Sequence, residues 1–222
     1  MQPLLTIITP TTGRPSLLRL IETVQSQDAG VGVIHLLLWD DKRELDGATP
    51  EQLQAQDRVS IVLPNGFGRF GDAPGSALRA VGLIWATTEW VTFADDDVWW
   101  DRGHLRAMLA AARGRNWTST LRRIWSPAGG QLGVDRFESV GDDPGRRVPH
   151  EMCDNNCMMF QRPFGVAAAP LYRETRQYND DRLMYAFLKQ AGGPRGRTGI
   201  ATINQVCPER LVEGFRANCS AS

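Results

Sequence analysis

Residues 90–97 read Trp-Val-Thr-Phe-Ala-Asp-Asp-Asp, a short apolar run with the composition of a buried strand that ends in three consecutive carboxylates. Like charges repel, so three of them at one strand end raise the cost of folding unless a cation or hydrogen-bond donors occupy the site. Mg²⁺ or Mn²⁺ suits that place. Such hard cations take oxygen ligands and keep positions open for water and substrate phosphates, so one or two protein carboxylates suffice. An acidic turn capping the next helix is the competing reading, and the flanking chain decides between them.

Upstream, strand-like and helix-like segments alternate, the pattern of an α/β domain with an open, mostly parallel sheet flanked by helices. Leu4–Thr9 reads as the first strand. A Pro10-Thr11-Thr12-Gly13 turn follows, then a helix with Pro15 near its start and Leu17, Leu18, Ile21 and Val24 on one face. Val33–Trp39 is a second strand and runs into Asp40 and Asp41. Residues Pro50–Gln56 suit a short helix, Val59–Leu63 a third strand, and Ser76–Trp85 a helix that delivers the chain to the acidic strand. Ligands of open parallel sheets bind beyond the carboxyl ends of the strands, so Asp40, Asp41 and Asp95–Asp97 converge on one crevice.

Downstream the character changes. Arg102–Arg113 reads as a helix capped by Asp101 and stopped by Gly114, followed by segments rich in Arg, Trp, Gly and Pro. Asn116–Trp125 and Asn156–Gln161 suit strands, Asp142–Pro149 a mobile loop, and Asn179–Gln190 a helix ended by Gly192-Gly193. Its apolar residues Leu183, Phe187 and Leu188 are expected to face the core. The expectation is a single domain over residues 1–222 whose character changes after residue 101.

Composition bounds the partners. The 222 residues are 42% hydrophobic, and Lys+Arg and Asp+Glu both number 25, so no global charge calls for nucleic acid. The four cysteines and the lack of a signal-peptide pattern point to a reducing cytoplasm. No apolar run approaches the roughly 20 residues of a membrane span, which leaves peripheral membrane contact open.

With these residues placed, the chain resembles glycosyltransferase family 2, the nucleotide-sugar-dependent transferases of the GT-A fold. The likeness runs from about Leu4 to about Gln190. Its carriers are Thr6 to Thr11 with Arg14-Pro15, the Asp40-Asp41 pair, Gly75 to Gly82 with Arg79, Asp95-Asp96-Asp97 in the place of the DXD motif, and Asn179-Asp180-Asp181-Arg182-Leu183 in the place of a late Glu-Asp pair. Thr12-Gly13, Ala80 and Asn179 depart from the family pattern. The resemblance implies a metal-dependent transfer from a nucleoside-diphosphate sugar, a UDP-sugar in many members, to a saccharide, lipid-linked or other hydroxyl acceptor, with inversion and in the synthesis of a bacterial polysaccharide or glycoconjugate.

The roles divide accordingly. Pro10, Thr11, Arg14, Asp40, Asp41, Arg79, Asp95 and Asp96 surround the nucleotide sugar. Asp97, with Asp95, holds Mn²⁺ or Mg²⁺ on the diphosphate. Asp180 or Asp181 takes the acceptor proton, with Asp180 favoured because it keeps the register with Leu183. Trp99 and Trp100 offer indole faces to a sugar, and Asn155 and Asn156, with Asp154, offer polar groups to acceptor hydroxyls.

Three further readings compete. Gly66-Phe67-Gly68-Arg69-Phe70-Gly71 fits the GxGxxG of NAD-dependent oxidoreductases, but residues 72–75 separate it from the next helix and spoil the tight turn that pyrophosphate binding needs. His150, Cys153 and Cys157 match no common zinc spacing. A catalytically silent nucleotide-sugar-binding module on the same fold is the third. His35 reads as a core histidine and His104 as a helix surface residue.

Overall fold

The computed structural model describes residues 3–40, 47–55, 57–64, 66–70, 73–143, 151–174 and 179–220. In chain order the elements are β1 (Pro3–Thr11), α1 (Ser16–Gln25), β2 (Gly32–Asp40), β3 (Arg58–Leu63), β4 (Arg69–Phe70), β5 (Ala73–Pro74), α2 (Ser76–Trp85), β6 (Trp90–Phe93), β7 (Val98–Trp100), α3 (His104–Ala111), β8 (Trp117–Trp125) and β9 (Gln131–Asp135). They continue with a 3₁₀ turn (Asn155–Cys157), β10 (Met158–Gln161), α4 (Arg162–Ala168), α5 (Leu171–Glu174), α6 (Asp180–Ala191), β11 (Gly196–Val206), a second 3₁₀ turn (Glu209–Leu211), α7 (Val212–Asn218) and β12 (Cys219–Ser220).

The main sheet runs β12-β9-β8-β10-β6-β1-β2-β3. The half built from the N-terminal part of the chain is parallel: β1 lies between β6 and β2, and β3 continues beyond β2. Leu5, Ile7 and Ile8 of β1, Leu37 to Trp39 of β2, and Val91 and Phe93 of β6 are all sealed from solvent. Continuous apolar strands of this kind arise where helices cover both sheet faces. Because the strands are parallel, Thr11, Asp40 and Asp95 finish at the same edge. In the second half β10 is antiparallel to both β6 and β8, and β11 runs parallel to β8 and antiparallel to β7.

Helix α2 sits close on this sheet because position 82 has no side chain. A Cβ at Gly82 would come 2.5 Å from Ile8 Cγ2 and 2.9 Å from Leu38 Cδ1, distances that real Cβ contacts do not show. Gly75 precedes the helix at φ +78°, a left-handed conformation that glycine adopts without strain.

Several expectations change. The buried stripe of α1 is Leu17, Leu20, Ile21 and Val24, while Leu18 is exposed; the i, i+3, i+4, i+7 spacing from Leu17 takes in Leu20 in place of Leu18. Residues 50–55 make one turn, with Thr49 and Gln52 exchanging side-chain-to-backbone bonds, and no helix propagates from it. Asp101 does not cap α3 with its carboxylate, which accepts from Arg123 and Asn204 instead. His104 is fully buried, 4.2 Å from the Trp100 ring, with Nδ1 2.8 Å from Thr202 Oγ1. His35 is a core residue as expected, with Nε2 2.9 Å from Thr9 Oγ1. The loop expected over 142–149 falls outside the described residues from position 144 onward, as does His150.

Candidate active site

The acidic run leaves β6 beside the turn that leaves β1. Thr11 Oγ1 donates to Asp96 Oδ2 at 2.7 Å, and Arg14 Nη1 lies 3.4 Å from Asp96 Oδ1 and 3.7 Å from Asp97 Oδ2. Asp96 is buried and its carboxyl is raised by burial, against the pull of Arg14 and the Thr11 bond. Asp97 is partly exposed, yet its Oδ1 is sealed from solvent and finds no hydrogen-bond partner. Burial first, then the charges of Asp95 and Asp96, push the Asp97 carboxyl up to about 7. An orphaned carboxylate oxygen next to two other carboxylates is a place where a cation relieves both costs.

Asp95 faces the other way. Arg79, buried on α2, pairs with Asp95 through Nη2 and reaches Asp180 Oδ2 through Nη1 at 3.3 Å. Burial alone would lower the guanidinium pKa, but Asp95, Asp180 and Asp181 outweigh it and hold the charge firmly in place. Asp180 Oδ2 also accepts from Ser76 Oγ at 3.3 Å and from Asn155 Nδ2 at 3.4 Å. The Asn155 amide N–H donates to Asp181 Oδ1 at 2.8 Å, and Tyr172 donates to Asn155 Oδ1 at 2.9 Å. Asn156 clasps Asp95 twice: its Oδ1 accepts from the Asp95 N–H at 2.6 Å and its Nδ2 donates to Asp95 Oδ2 at 3.0 Å. Burial, Asp154 and Asp180 raise the Asp181 carboxyl well above the ordinary range, against the pull of Arg79 and the Asn155 N–H.

One guanidinium thus joins three segments that are far apart in the chain: α2, the end of β6 and the start of α6. Ser76 and Tyr172 were not expected. Ser76 had a signal, since it stands one helical turn before Arg79 and shares its face; Tyr172 had none.

The remaining expected residues fall as follows. Pro10 is buried and would lie 3.2 Å from a Cβ at Gly75. Asp40 is buried, and its two oxygens accept from the Gly66 N–H at 2.5 Å and the Gly68 N–H at 3.2 Å, so the glycine-rich loop is pinned to β2. Helix α2 begins only at Ser76, after β4 and β5, so the GxGxxG segment does not open a helix. Asp41 lies outside the described residues. Trp100 is enclosed in the core and its backbone N–H donates to Thr23 Oγ1, so its indole presents no open face to a sugar. Trp99 lies under the Arg19 guanidinium, 3.4 Å from the ring centre, and beside Trp125.

The expected register of α6 is also corrected. Leu183 is 38% exposed, whereas Met184, Tyr185 and Leu188 are buried. The acid three residues before the first buried apolar position is therefore Asp181, and Asp180 is the one tied to Arg79.

A parallel half-sheet with acidic strand ends at its carboxyl edge, continued by an antiparallel half that bears a second acidic pair, has the architecture of GT-A-type glycosyltransferases. The crystal structure of S. aureus TarS residues 1–349 superposes with a TM-score of 0.64 at 17% identity, covering 99% of this chain and 67% of that one. The same segment in complex with UDP-GlcNAc gives 0.64 at 15%, covering 99% and 62%, and the longer S. aureus TarS structure gives 0.63 at 15%, covering 99% and 40%. No curated protein sequence matches the chain. The family model of glycosyl transferase family 2 matches residues 6–125, more than half of the chain, and the protein belongs to that family as a glycosyltransferase.

Proposed function

We propose that the chain moves a sugar from a UDP-sugar to the hydroxyl of an acceptor, with residues 1–101 holding the donor and 102–222 the acceptor, in assembly of a bacterial polysaccharide or glycoconjugate. The observation that carries this reading is the Arg79 bridge, which holds the acid of the candidate metal strand and the acid of the candidate base helix on one guanidinium. Crystals of the similar TarS segment with UDP and with UDP-GlcNAc support the choice of donor class.

In this reading Pro10, Thr11 and Arg14 line the nucleotide pocket, and Asp95 meets the ribose or donor sugar while Arg79 adds fixed positive charge. Asp40 faces the base only if a base N–H displaces a loop amide from its carboxylate. Asp97 would be the chief holder of Mn²⁺ or Mg²⁺, because Asp95, expected as a second ligand, is turned toward Arg79 and Asn156; the fit rests on the orphaned Asp97 Oδ1 and the surplus of carboxylates. Among the described residues no three-ligand metal cage exists, which suits an ion completed by substrate phosphates and water. When bound, the ion neutralises the departing diphosphate.

Asp181 is the base. Its raised pKa gives it affinity for the acceptor proton, and the Asn155 N–H holds one oxygen still. The proton passes to the carboxylate, the hydroxyl oxygen bonds to the anomeric carbon, and the sugar–phosphate bond breaks on the opposite face. One displacement gives inversion. Asp180 keeps α6 docked on Arg79.

Release of UDP from a panel of UDP-sugars, with and without Mn²⁺, tests the assignment. Metal-dependent release with at least one donor supports it. Binding of UDP without any turnover would make the chain a silent nucleotide-sugar-binding module.

A further inference from the structure

Behind Asn156, on the acceptor side, lies a second buried guanidinium. Arg122 of β8 is 2% exposed and gives Nε to Asp135 Oδ2 at 2.9 Å, Nη1 to Asp154 and to Gln205 Oε1 at 2.6 Å, and Nη2 to Glu138. Among the described residues, three carboxylates thus face one cation. The surplus is felt at Glu138, whose carboxyl is raised by burial and by Asp154 and Asp135 against the pull of Arg122. A cleft of about 130 Å³ opens over this group, lined on its polar side by Glu138, Asp154 and Gln205 and on its apolar side by Pro208, Leu211 and Phe215.

Asp154 belongs to this cleft and to the catalytic edge at once. Its Oδ1 accepts from the Asn156 N–H and Nδ2, both at 2.8 Å, and Asn156 clasps Asp95. Its charge also contributes to the raised carboxyls of Asp97 and Asp181. Asp154 also precedes Asn155, whose backbone N–H donates to Asp181 Oδ1 at 2.8 Å.

We propose that this cleft receives one neutral pyranose ring of the acceptor. The inference rests on the glycosyl-transfer reading above and names the acceptor's class. Surplus carboxylate repels phosphate or carboxylate ligands, and the cationic centre is already filled by Arg122. What suits the walls is a set of hydroxyl donors, which the remaining lone pairs of Glu138, Asp154 and Gln205 accept, on a ring whose C–H face packs against the exposed Pro208 and Leu211. The volume is small beside the ~300–1,000 Å³ of drug-sized sites, which limits the occupant to a single ring.

The test is saturation-transfer NMR on the full chain, with UDP and Mn²⁺ present and the methyl glycosides of glucose, galactose, mannose and N-acetylglucosamine as probes at millimolar concentration. At least one glycoside is expected to bind. Leu211→Trp, placed at a rim position 42% exposed, should fill the cleft and abolish that signal. Gln205→Leu should weaken it about tenfold by removing one accepted hydrogen bond. UDP affinity, measured on the same samples by calorimetry, reports the fold and the donor site. Wild-type protein that binds UDP but none of the glycosides overturns the cleft assignment, as does a glycoside signal that survives both substitutions. Failure of UDP itself to bind overturns the transferase reading on which the cleft depends.

Discussion

At the scale of single residues, the site is a set of carboxylates sorted by their partners. Asp96 and Asp180 are tied to Thr11 and Arg79, whereas Asp97 has an orphaned oxygen and Asp181 a raised pKa. Asp181→Asn should therefore lower turnover by about 10²–10⁴-fold with UDP affinity unchanged. Asp180→Asn should act mainly on stability, by loosening α6 from Arg79. Steady-state kinetics and urea melts on both variants check the division; equal turnover losses with unchanged stability would return the base to Asp180. Asp97→Ala should keep the fold and lose the tightening of UDP binding by Mn²⁺, read by calorimetry with and without the ion. Unchanged metal dependence in that variant removes Asp97 from the site.

At the scale of elements, packing chose which face of each helix is buried. Leu18 and Leu183 have the right chemistry for a core stripe, yet both are exposed, because the start of each helix and its tilt on the sheet set the phase of the stripe. That shift is the ground on which Asp181 rather than Asp180 is proposed as the base. Strands β9 and β11 had no clear signature in the sequence: β11 is exposed at several of its early positions, buried without a break over Ala201–Asn204, and paired with β7 and β8, which lie far upstream in the chain. Contact between α2 and the sheet is tightest at Gly82. Gly82→Val should lower stability by about 2–3 kcal/mol through overpacking against Ile8 and Leu38, since the gain in helix propensity is small. A fall in urea midpoint at constant m-value checks it.

Across the whole molecule, two buried histidines couple stability to pH. Burial, with Arg58 nearby, lowers the His35 pKa to about 3; burial, against the pull of Asp101, lowers His104 to about 3. Both are neutral when folded and charge when unfolded, so their contribution is present above pH 6.5 and is lost as pH falls from 6.5 toward 3. The raised carboxyls of Asp97 and Asp181 act with the opposite sign. Replacing either histidine by Gln should reduce the slope of unfolding free energy against pH by about 1.4 kcal/mol per unit in that window. Urea unfolding at a series of pH values measures it, and an unchanged slope in both variants refutes the buried-neutral assignment.

The sequence by itself determined the parallel half. Its strands are apolar throughout and end in acids, so alternation with helices was enough to place Asp40 and Asp95–Asp97 at one edge; Arg79 and the Asp180-Asp181 pair were marked by the resemblance to glycosyltransferase family 2. Tertiary structure alone decided what each of these groups touches. That Arg79 spans Asp95 and Asp180, that Asp40 is taken up by loop amides, that Trp100 and His104 stack inside the core, and that Arg122 gathers three carboxylates all depend on side chains brought together from distant positions. Local propensity carries no information on such meetings, because burial and charge pairing are settled only when the second half of the sheet closes against the first.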